Sequence, residues 1–189
     1  MANSNNSVIT GKFRGTLGKE LVFREWAGKT VVAKAPKART SPGTAAQLKI
    51  KENFTLAAKY AKSVMDGSDQ GIRDAYAARL KPRQNLFSRA AADFMTPPVV
   101  KTIGTSAYTG VVGSTITVRA VDDFRVTGVQ VEIFAASGAL LEKGNAVQQT
   151  NGLDWIYTAT QANAVLAGSK INAIATDVPG NTGTLVVTL

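Results

Sequence analysis

Cysteine and histidine are both absent from the 189 residues of this chain. Without cysteine there are no disulfides, thiolate metal ligands or cysteine nucleophiles. Without histidine there is no Ser-His-Asp hydrolysis, no His-ligated zinc or iron, and no general base of the commonest type near neutral pH. No apolar run reaches the roughly 18 residues of a membrane helix. The polar first residues also lack the layout of a secretory signal, so we expect synthesis in the cytoplasm, with use there or release by lysis, and no membrane partner.

The glycine and acidic patterns do not indicate catalysis either. Gly11 to Gly18 has GxxxGxxG spacing, but a strand rather than a helix is predicted after it, so no helix N-terminus is available for a phosphate. The 13 Asp and Glu residues lie mostly at turns and helix starts, which disfavours a glycosidase pair. We therefore predict that the protein is not an enzyme and needs no cofactor.

Charge is divided unevenly along the chain. Residues 1–96 hold 17 Lys and Arg against 7 Asp and Glu, whereas residues 97–189 hold 5 against 6. The change coincides with Pro97 and Pro98, which form a short stiff spacer. The sequence therefore predicts a basic docking domain over 1–96, which faces something acidic, and a second domain over 97–189.

The basic half reads as a small antiparallel β-meander followed by about three helices. Strand-like runs at Val8–Arg14, Glu20–Trp26 and Thr30–Ala35 are separated by glycine turns. Thr44 and Gln47 form a capping box that starts the first helix, and helices over about 69–80 and 84–95 follow. Helical spacing predicts an inward stripe on each, with the members Leu48, Phe54, Ala58, Ala61, Met65, Ile72, Tyr76, Leu80, Leu86, Phe87, Ala90 and Phe94.

The second half reads as an all-β sandwich. Short alternating runs separated by turn signals indicate seven strands: Val99–Ala107, Thr115–Val121, Gly128–Ala135, Ala139–Lys143, Asp154–Ala159, Lys170–Thr176 and Thr182–Leu189. Trp155 alternates with Tyr157 on one of these strands, so we expect its indole in the sandwich core. The predicted fold class is thus an α+β N-terminal region followed by an immunoglobulin-like β-sandwich.

Two stretches of the second half carry a resemblance. They are Ile116 to Asp123, and Ile171 to Asn181 with its Ala-x-Asp-x-x-Gly-Asn ending before a last strand. On these residues the half resembles a bacterial immunoglobulin-like domain. The antibody-type Cys–Trp–Cys signature is missing, so the resemblance implies the sandwich architecture and no particular function.

The first half is similar to a group of small uncharacterised proteins of Bacteroidota and their phages. The likeness lies in a glycine-paired hairpin, a basic Pro-containing arm and a Thr-x-x-Gln helix start, over the segments 11–15, 22–28, 32–36 and 44–47, with Phe54. The resemblance implies a phage virion or phage-like particle as the setting, and it implies no catalytic residue.

A run of six cations without an acid marks the basic arm: Lys29, Lys34, Lys37, Arg39, Lys49 and Lys51. A solvated loop is the ordinary interpretation of such a run. Among functional interpretations we favour the acidic surface of a neighbouring structural subunit over nucleic acid, because no aromatic residue interleaves the cations of the arm. Burial between copies would also supply apolar area that the small sheet lacks, so a homo-oligomer is compatible with the same reasoning.

Trp26, at the end of a predicted strand, has two interpretations. A tryptophan is usually well buried, and it would then pack the meander onto the first helix. Tryptophan is also enriched at binding hot spots, which would make Trp26 a partner-binding anchor beside Lys29, Lys34, Lys37 and Arg39.

Three carboxylates on predicted loops, Asp122, Asp123 and Asp177, are candidate calcium ligands if their loops share one end of the sandwich. Asp also caps turns without a metal, and no dense acidic run accompanies these residues. We therefore predict no metal.

The predicted function is a structural protein of a virion, foremost an auxiliary or decoration protein of a capsid and next a tail or connector component. The alternatives are a nucleic-acid-binding protein and a surface adhesion or carbohydrate-binding module.

Overall fold

The computed structural model describes residues 2–3, 13–26, 28–38 and 42–189. The chain divides into two compact units, residues 1–50 and residues 51–189. The division falls within the first helix and not at Pro97 and Pro98. The boundary predicted at Pro97 and Pro98 implies that residues 97–189 fold alone, and this stays a prediction.

The first unit contains a four-stranded antiparallel sheet in the order β1-β4-β3-β2. Its strands are β1 (Ala2–Asn3), β2 (Gly15–Leu17), β3 (Leu21–Trp26) and β4 (Lys29–Lys34). Gly18 and Lys19, between β2 and β3, have φ of 59° and 58°, as a type I′ hairpin turn requires. The predicted meander is confirmed, although most of the strand expected over 8–14 lies outside the described residues.

Three helices follow: α1 (Ala45–Asp66), α2 (Gln70–Ala77) and α3 (Leu86–Phe94). The predicted capping box is present, because the Thr44 amide donates to Oε1 of Gln47 at 3.2 Å and the Gln47 amide donates to Oγ1 of Thr44 at 3.3 Å. Asp69 caps α2, and Asn85 forms a second capping box with Ser88 at the start of α3. Each helix therefore begins where a side chain satisfies its first free amides.

The buried stripe of α1 differs from the predicted one. Leu48, Phe54 and Met65 are all 45% or more exposed, so their predicted burial is wrong. The predicted burial of Ala61 is confirmed, Ala58 is half-buried, and Ala57, which was not predicted, is fully buried. Residues 45–56 have no buried side chain. On α2 and α3 the stripe is confirmed except at Leu80, which is exposed.

The second half forms eight strands in two antiparallel sheets. The strands are β5 (Val99–Gly104), β6 (Thr115–Val121), β7 (Val126–Phe134), β8 (Leu140–Asn145), β9 (Val147–Gln148), β10 (Asp154–Thr158), β11 (Lys170–Asp177) and β12 (Thr182–Thr188). The sheet orders are β5-β6-β10-β9 and β12-β11-β7-β8. These are the A-B-E-D and G-F-C-C′ orders of immunoglobulin-like sandwiches, so the predicted fold class is confirmed and β9 is added to it.

Alternate residues of both sheets fill one core. Ile116 and Val118 of β6 meet Val131 and Ile133 of β7, and all four are fully buried. Trp155 is 6% exposed within the same cluster, which confirms its predicted place in the core.

One loop side chain joins the sandwich to the helices of the same unit. Phe124, between β6 and β7, is buried in the helical cluster, where its ring stacks on Tyr76 at 4.2 Å between centroids. The guanidinium groups of Arg79 and Arg89 lie 5.1 and 5.5 Å from the centre of the Phe124 ring. Arg89 also forms an ion pair with Asp123. Residues 51–96 therefore pack on one end of the sandwich.

Candidate docking surface of the basic unit

The β3–β4 hairpin carries Trp26 at its turn end. Its pairing runs from Leu21 opposite Lys34 to Trp26 opposite Lys29. In the described strand pairs, β1 joins β4 at Val31 and Val32, and β2 joins β3 over 21–23. Trp26 and Lys29 are thus the last pair of the hairpin before its turn.

Trp26 is 67% exposed at this end of the hairpin. The interpretation of Trp26 as a core residue is therefore wrong. Trp26 is the last residue of β3 and lies beside the turn into β4, so its indole is at the end of the hairpin. Side chains at alternate positions of a strand share a face, and directly paired residues do so as well. The indole thus shares one face of the sheet with Arg24 and Lys29.

The first unit buries little of its own apolar surface. Phe23 is its one buried large apolar side chain among the described residues, and the Phe13 ring meets it edge-to-face at 5.7 Å. The exposed members are Phe13, Leu17, Leu21, Trp26, Leu48 and Ile50. A small sheet with so little core is marginal alone, and exposed apolar surface of this kind marks interaction sites.

The unit is also strongly basic. Residues 1–50 carry nine Lys and Arg against two Asp and Glu, whereas residues 51–189 carry 13 against 11. Glu25, one of the two acids, forms an exposed ion pair with Arg14. Most of the net charge of +9 therefore belongs to the unit that displays Trp26.

The structure brings together some of the predicted partner-binding residues and separates others. Lys29 lies directly across from Trp26, whereas Lys34 pairs with Leu21 at the opposite end of the hairpin. Five residues of strand separate the two lysines by about 17 Å. Lys37 is exposed in the irregular segment after β4, and Arg39 lies outside the described residues.

The three calcium candidates accept local hydrogen bonds. Oδ2 of Asp122 accepts from the amides of residues 124 and 125, both at 2.8 Å. Asp123 pairs with Arg89, which lowers the pKa of Asp123. Asp177 accepts from the amide and the side chain of Asn181, and burial raises its pKa. Within the described ranges, no group of three or more acidic side chains is arranged to hold a metal ion.

Two buried acids were not singled out from the sequence. Oε2 of Glu142 accepts hydrogen bonds from the hydroxyl of Tyr157 and from residues 160 and 161. Asp93 is fully buried on α3, where burial raises its pKa to about 6. A pKa near neutrality is typical of functional sites, but this carboxyl has no exposed surface on which a substrate could bind. No sequence signal distinguished either residue from a solvated acid, because each is identified only by its tertiary neighbours.

Comparisons with known proteins add little to this picture. No family model matches the sequence, and no curated protein matches it. CopC from Methylosinus trichosporium OB3b is 16% identical, with a TM-score of 0.35 over 47% of this chain and 87% of that chain. An engineered protein is 20% identical, with a TM-score of 0.30 over 54% of this chain, which spans only 25% of that protein. Because both TM-scores are so low, the fold assignment rests on the strand order alone.

Over the described part of the chain, no helix has the length and apolar character needed to cross a membrane.

Proposed function

We propose that the chain is a non-enzymatic structural subunit of a phage virion or phage-like particle, which docks through its basic N-terminal unit onto an acidic protein surface. The observation that carries the proposal is the exposed indole of Trp26, which shares one face of the hairpin with Arg24 and Lys29. Tryptophan and arginine are both enriched at binding hot spots.

The charge of the unit favours an acidic partner over a second copy of the same surface. Two such surfaces in contact would bring like charges together, which costs free energy. An acidic partner would gain from the same charges, and the exposed apolar side chains of the unit would lose water on contact.

The immunoglobulin-like sandwich belongs to the other unit, which is close to neutral. In the proposed assembly the sandwich decorates the particle or bridges neighbouring subunits. The role of auxiliary or decoration protein is the first choice, and a tail or connector component is the second. The resemblance of the first half to small phage-associated proteins supports this setting.

Substitution of Trp26 by alanine tests the proposal. Particles assembled with Trp26→Ala protein should contain at least tenfold less of the chain, measured by quantitative blotting of purified particles. Val147→Ala is the matched control, because Val147 is 68% exposed but lies in the other unit. Wild-type protein absent from purified particles, or Trp26→Ala protein incorporated at the wild-type level, would contradict the proposal.

A nucleic-acid-binding function is the second candidate, and one observation favours it. The exposed indole of Trp26 shares one face of the sheet with Arg24 and Lys29, so an aromatic ring and cations occur together on the sheet although not on the arm. This combination is typical of single-strand binders, in which bases stack on aromatic rings. Binding to a single-stranded oligonucleotide that weakens linearly with log salt, and that is lost in Trp26→Ala, would favour this candidate.

A further inference from the structure

A cleft opens on the sandwich, at the end of β7 that is nearest to the helices. Its volume is about 460 Å³, within the range of small-molecule sites. Parts of β7, β11 and β12 line it, together with the end of β8 and one side chain of the opposite sheet, Trp155. The cleft lies entirely within residues 51–189 and shares no residue with the docking surface proposed above.

Part of the cleft is open because Gly128 has no side chain. Gly128 pairs with Thr176, which in turn pairs with Thr182, so the three occupy one row across the sheet. Gln130 and Asn145 form the next row and are paired directly with each other. A Cβ atom added to Gly128 would meet no atom within 4 Å. The glycine therefore leaves space that its neighbours do not fill.

The lining combines apolar side chains with uncharged polar groups. Gln130 and Asn145 contribute amides, and Thr176 and Thr182 contribute hydroxyls. No residue that lines the cleft is Asp, Glu, Lys or Arg. Paired amides and hydroxyls can donate and accept hydrogen bonds but cannot neutralise an ion. The lining thus suits a ligand that offers several neutral donors and acceptors in a small volume.

We propose that this cleft binds a neutral polyhydroxylated ligand, a monosaccharide unit of a glycan. The two amides of Gln130 and Asn145 would bind vicinal hydroxyls. The sugar ring would lie over the row formed by Gly128, Thr176 and Thr182. A ligand of about 12 non-hydrogen atoms held in an open cleft binds in the millimolar range, so the useful affinity would come from many copies or from a longer glycan.

Trp155 provides a reporter inside the cleft. The chain has two tryptophans, and Trp26→Phe leaves Trp155 as the single one. The full-length Trp26→Phe protein is titrated with D-glucose, D-galactose and N-acetyl-D-glucosamine, each to about 100 mM, which is well above the affinity expected for a ligand of this size. We expect a saturable change in Trp155 emission with at least one of the three sugars.

Gly128→Val, in the same Trp26→Phe background, is the decisive variant. Valine suits a strand, and Gly128 has no positive φ, so the new side chain occupies the part of the cleft over Gly128 without backbone strain. The emission change should be lost. Thr188→Val is the matched control on the far end of β12 and should respond like the parent. Gln130→Leu removes one amide and should weaken the response at least tenfold, and it remains informative if Gly128→Val fails to fold.

Three results would overturn the proposal. The first is no saturable emission change with any of the three sugars. The second is a change that persists in the folded Gly128→Val protein or is undiminished in Gln130→Leu. The third is glucuronate or glucosamine binding at least tenfold more tightly than the neutral sugars, because the cleft would then recognise charge.

Discussion

The hydroxyl of Tyr76 donates a hydrogen bond of 2.6 Å to Oδ2 of Asp93, and both side chains are fully buried. The hydroxyl of Tyr60 lies 2.9 Å from that of Tyr76, which extends the chain of hydrogen bonds to α1. Oδ1 of Asp93 has no hydrogen-bond partner in the structure. Three helices are thus joined through a carboxyl group whose ionisation is costly in this environment.

The ionisation of Asp93 should make the stability depend on pH. Burial raises its pKa from 3.8 to about 6, and Asp122 and Asp177 act in the same direction, whereas Tyr76 and Arg89 oppose the rise. Because the pKa of Asp93 is higher in the folded state, its carboxyl ionises at a lower pH in the unfolded state than in the folded state. The stability that neutral Asp93 gives the folded state is therefore fully present below pH 3.8, and it is lost as the pH rises through 6. Between pH 4 and 7 we expect a loss of about 2 kcal/mol.

Asp93→Asn isolates this contribution, because asparagine still accepts the Tyr76 hydrogen bond but does not ionise. The measurement is the free energy of unfolding in urea at pH 4, 5, 6 and 7. Stability of the wild type relative to the variant should fall by about 2 kcal/mol over that range. A difference that stays constant from pH 4 to 7 would show that Asp93 does not titrate there.

The backbone of Pro98 lies so close to Gly183 that a side chain does not fit at this position. A Cβ atom at Gly183 would lie 1.8 Å from the carbonyl oxygen of Pro98, so β5 and β12 could not keep their spacing. We expect Gly183→Ala to destabilise the protein by about 3 kcal/mol. Gly128→Ala is the matched control, since its Cβ meets no atom, and it should change stability by less than about 1 kcal/mol. Thermal melts of the two variants provide the comparison, and equal melting temperatures would refute the argument.

The parts of the fold that the sequence predicted well are those set by local periodicity. Alternation placed Trp155 in the core, and the capping box at Thr44 set the start of α1. The inward face of α1 was predicted only in part, at Ala61, because apolar residues surround the helix and tertiary contacts select which of them are buried. The same limit applies to the candidate site. Composition located the basic region, but the exposure of Trp26 depends on its tertiary neighbours, which composition does not give.

The contacts of Phe124 bear on the predicted domain boundary. The buried core cluster of the sandwich lies wholly within residues 97–189, so we expect that fragment to fold alone with a cooperative melt. Without the helices it loses the stacking of Phe124 on Tyr76 and the ion pair between Arg89 and Asp123.

Exposure of one phenylalanine costs about 2 kcal/mol. The fragment 97–189 should therefore melt about 10 °C below the fragment 51–189. The test is the melting temperature of each fragment, measured by circular dichroism. A molten or insoluble 97–189 product would show that the sandwich depends on the helices, and identical melting temperatures would show that they contribute nothing.

Charge reversal along the arm separates the functional candidates. Lys34 and Lys37 are exposed, and Arg39 follows two residues later, so changing all three to glutamate should leave the fold intact. Each contact with an acidic partner is worth only about 0.2–1 kcal/mol, but reversal also adds repulsion in every copy. If the arm docks on an acidic subunit, the triple variant should be absent from purified particles. Reversal of Lys59, Lys62 and Lys101, which are exposed cations of the other unit, changes the net charge equally and should have no such effect.

If the arm instead binds nucleic acid, the triple variant should enter particles normally but lose DNA retardation at low salt. The wild type should then show a slope of log affinity against log salt of roughly −3, because about three phosphates would be neutralised. Docking of the arm on an acidic protein surface is also weakened by salt, so the loss of DNA retardation in the triple variant, and not salt dependence alone, identifies nucleic acid as the partner. A triple variant that assembles and binds DNA like the wild type would reduce the arm to a solvated linker. The docking proposal would then rest on the Trp26 end of the hairpin alone.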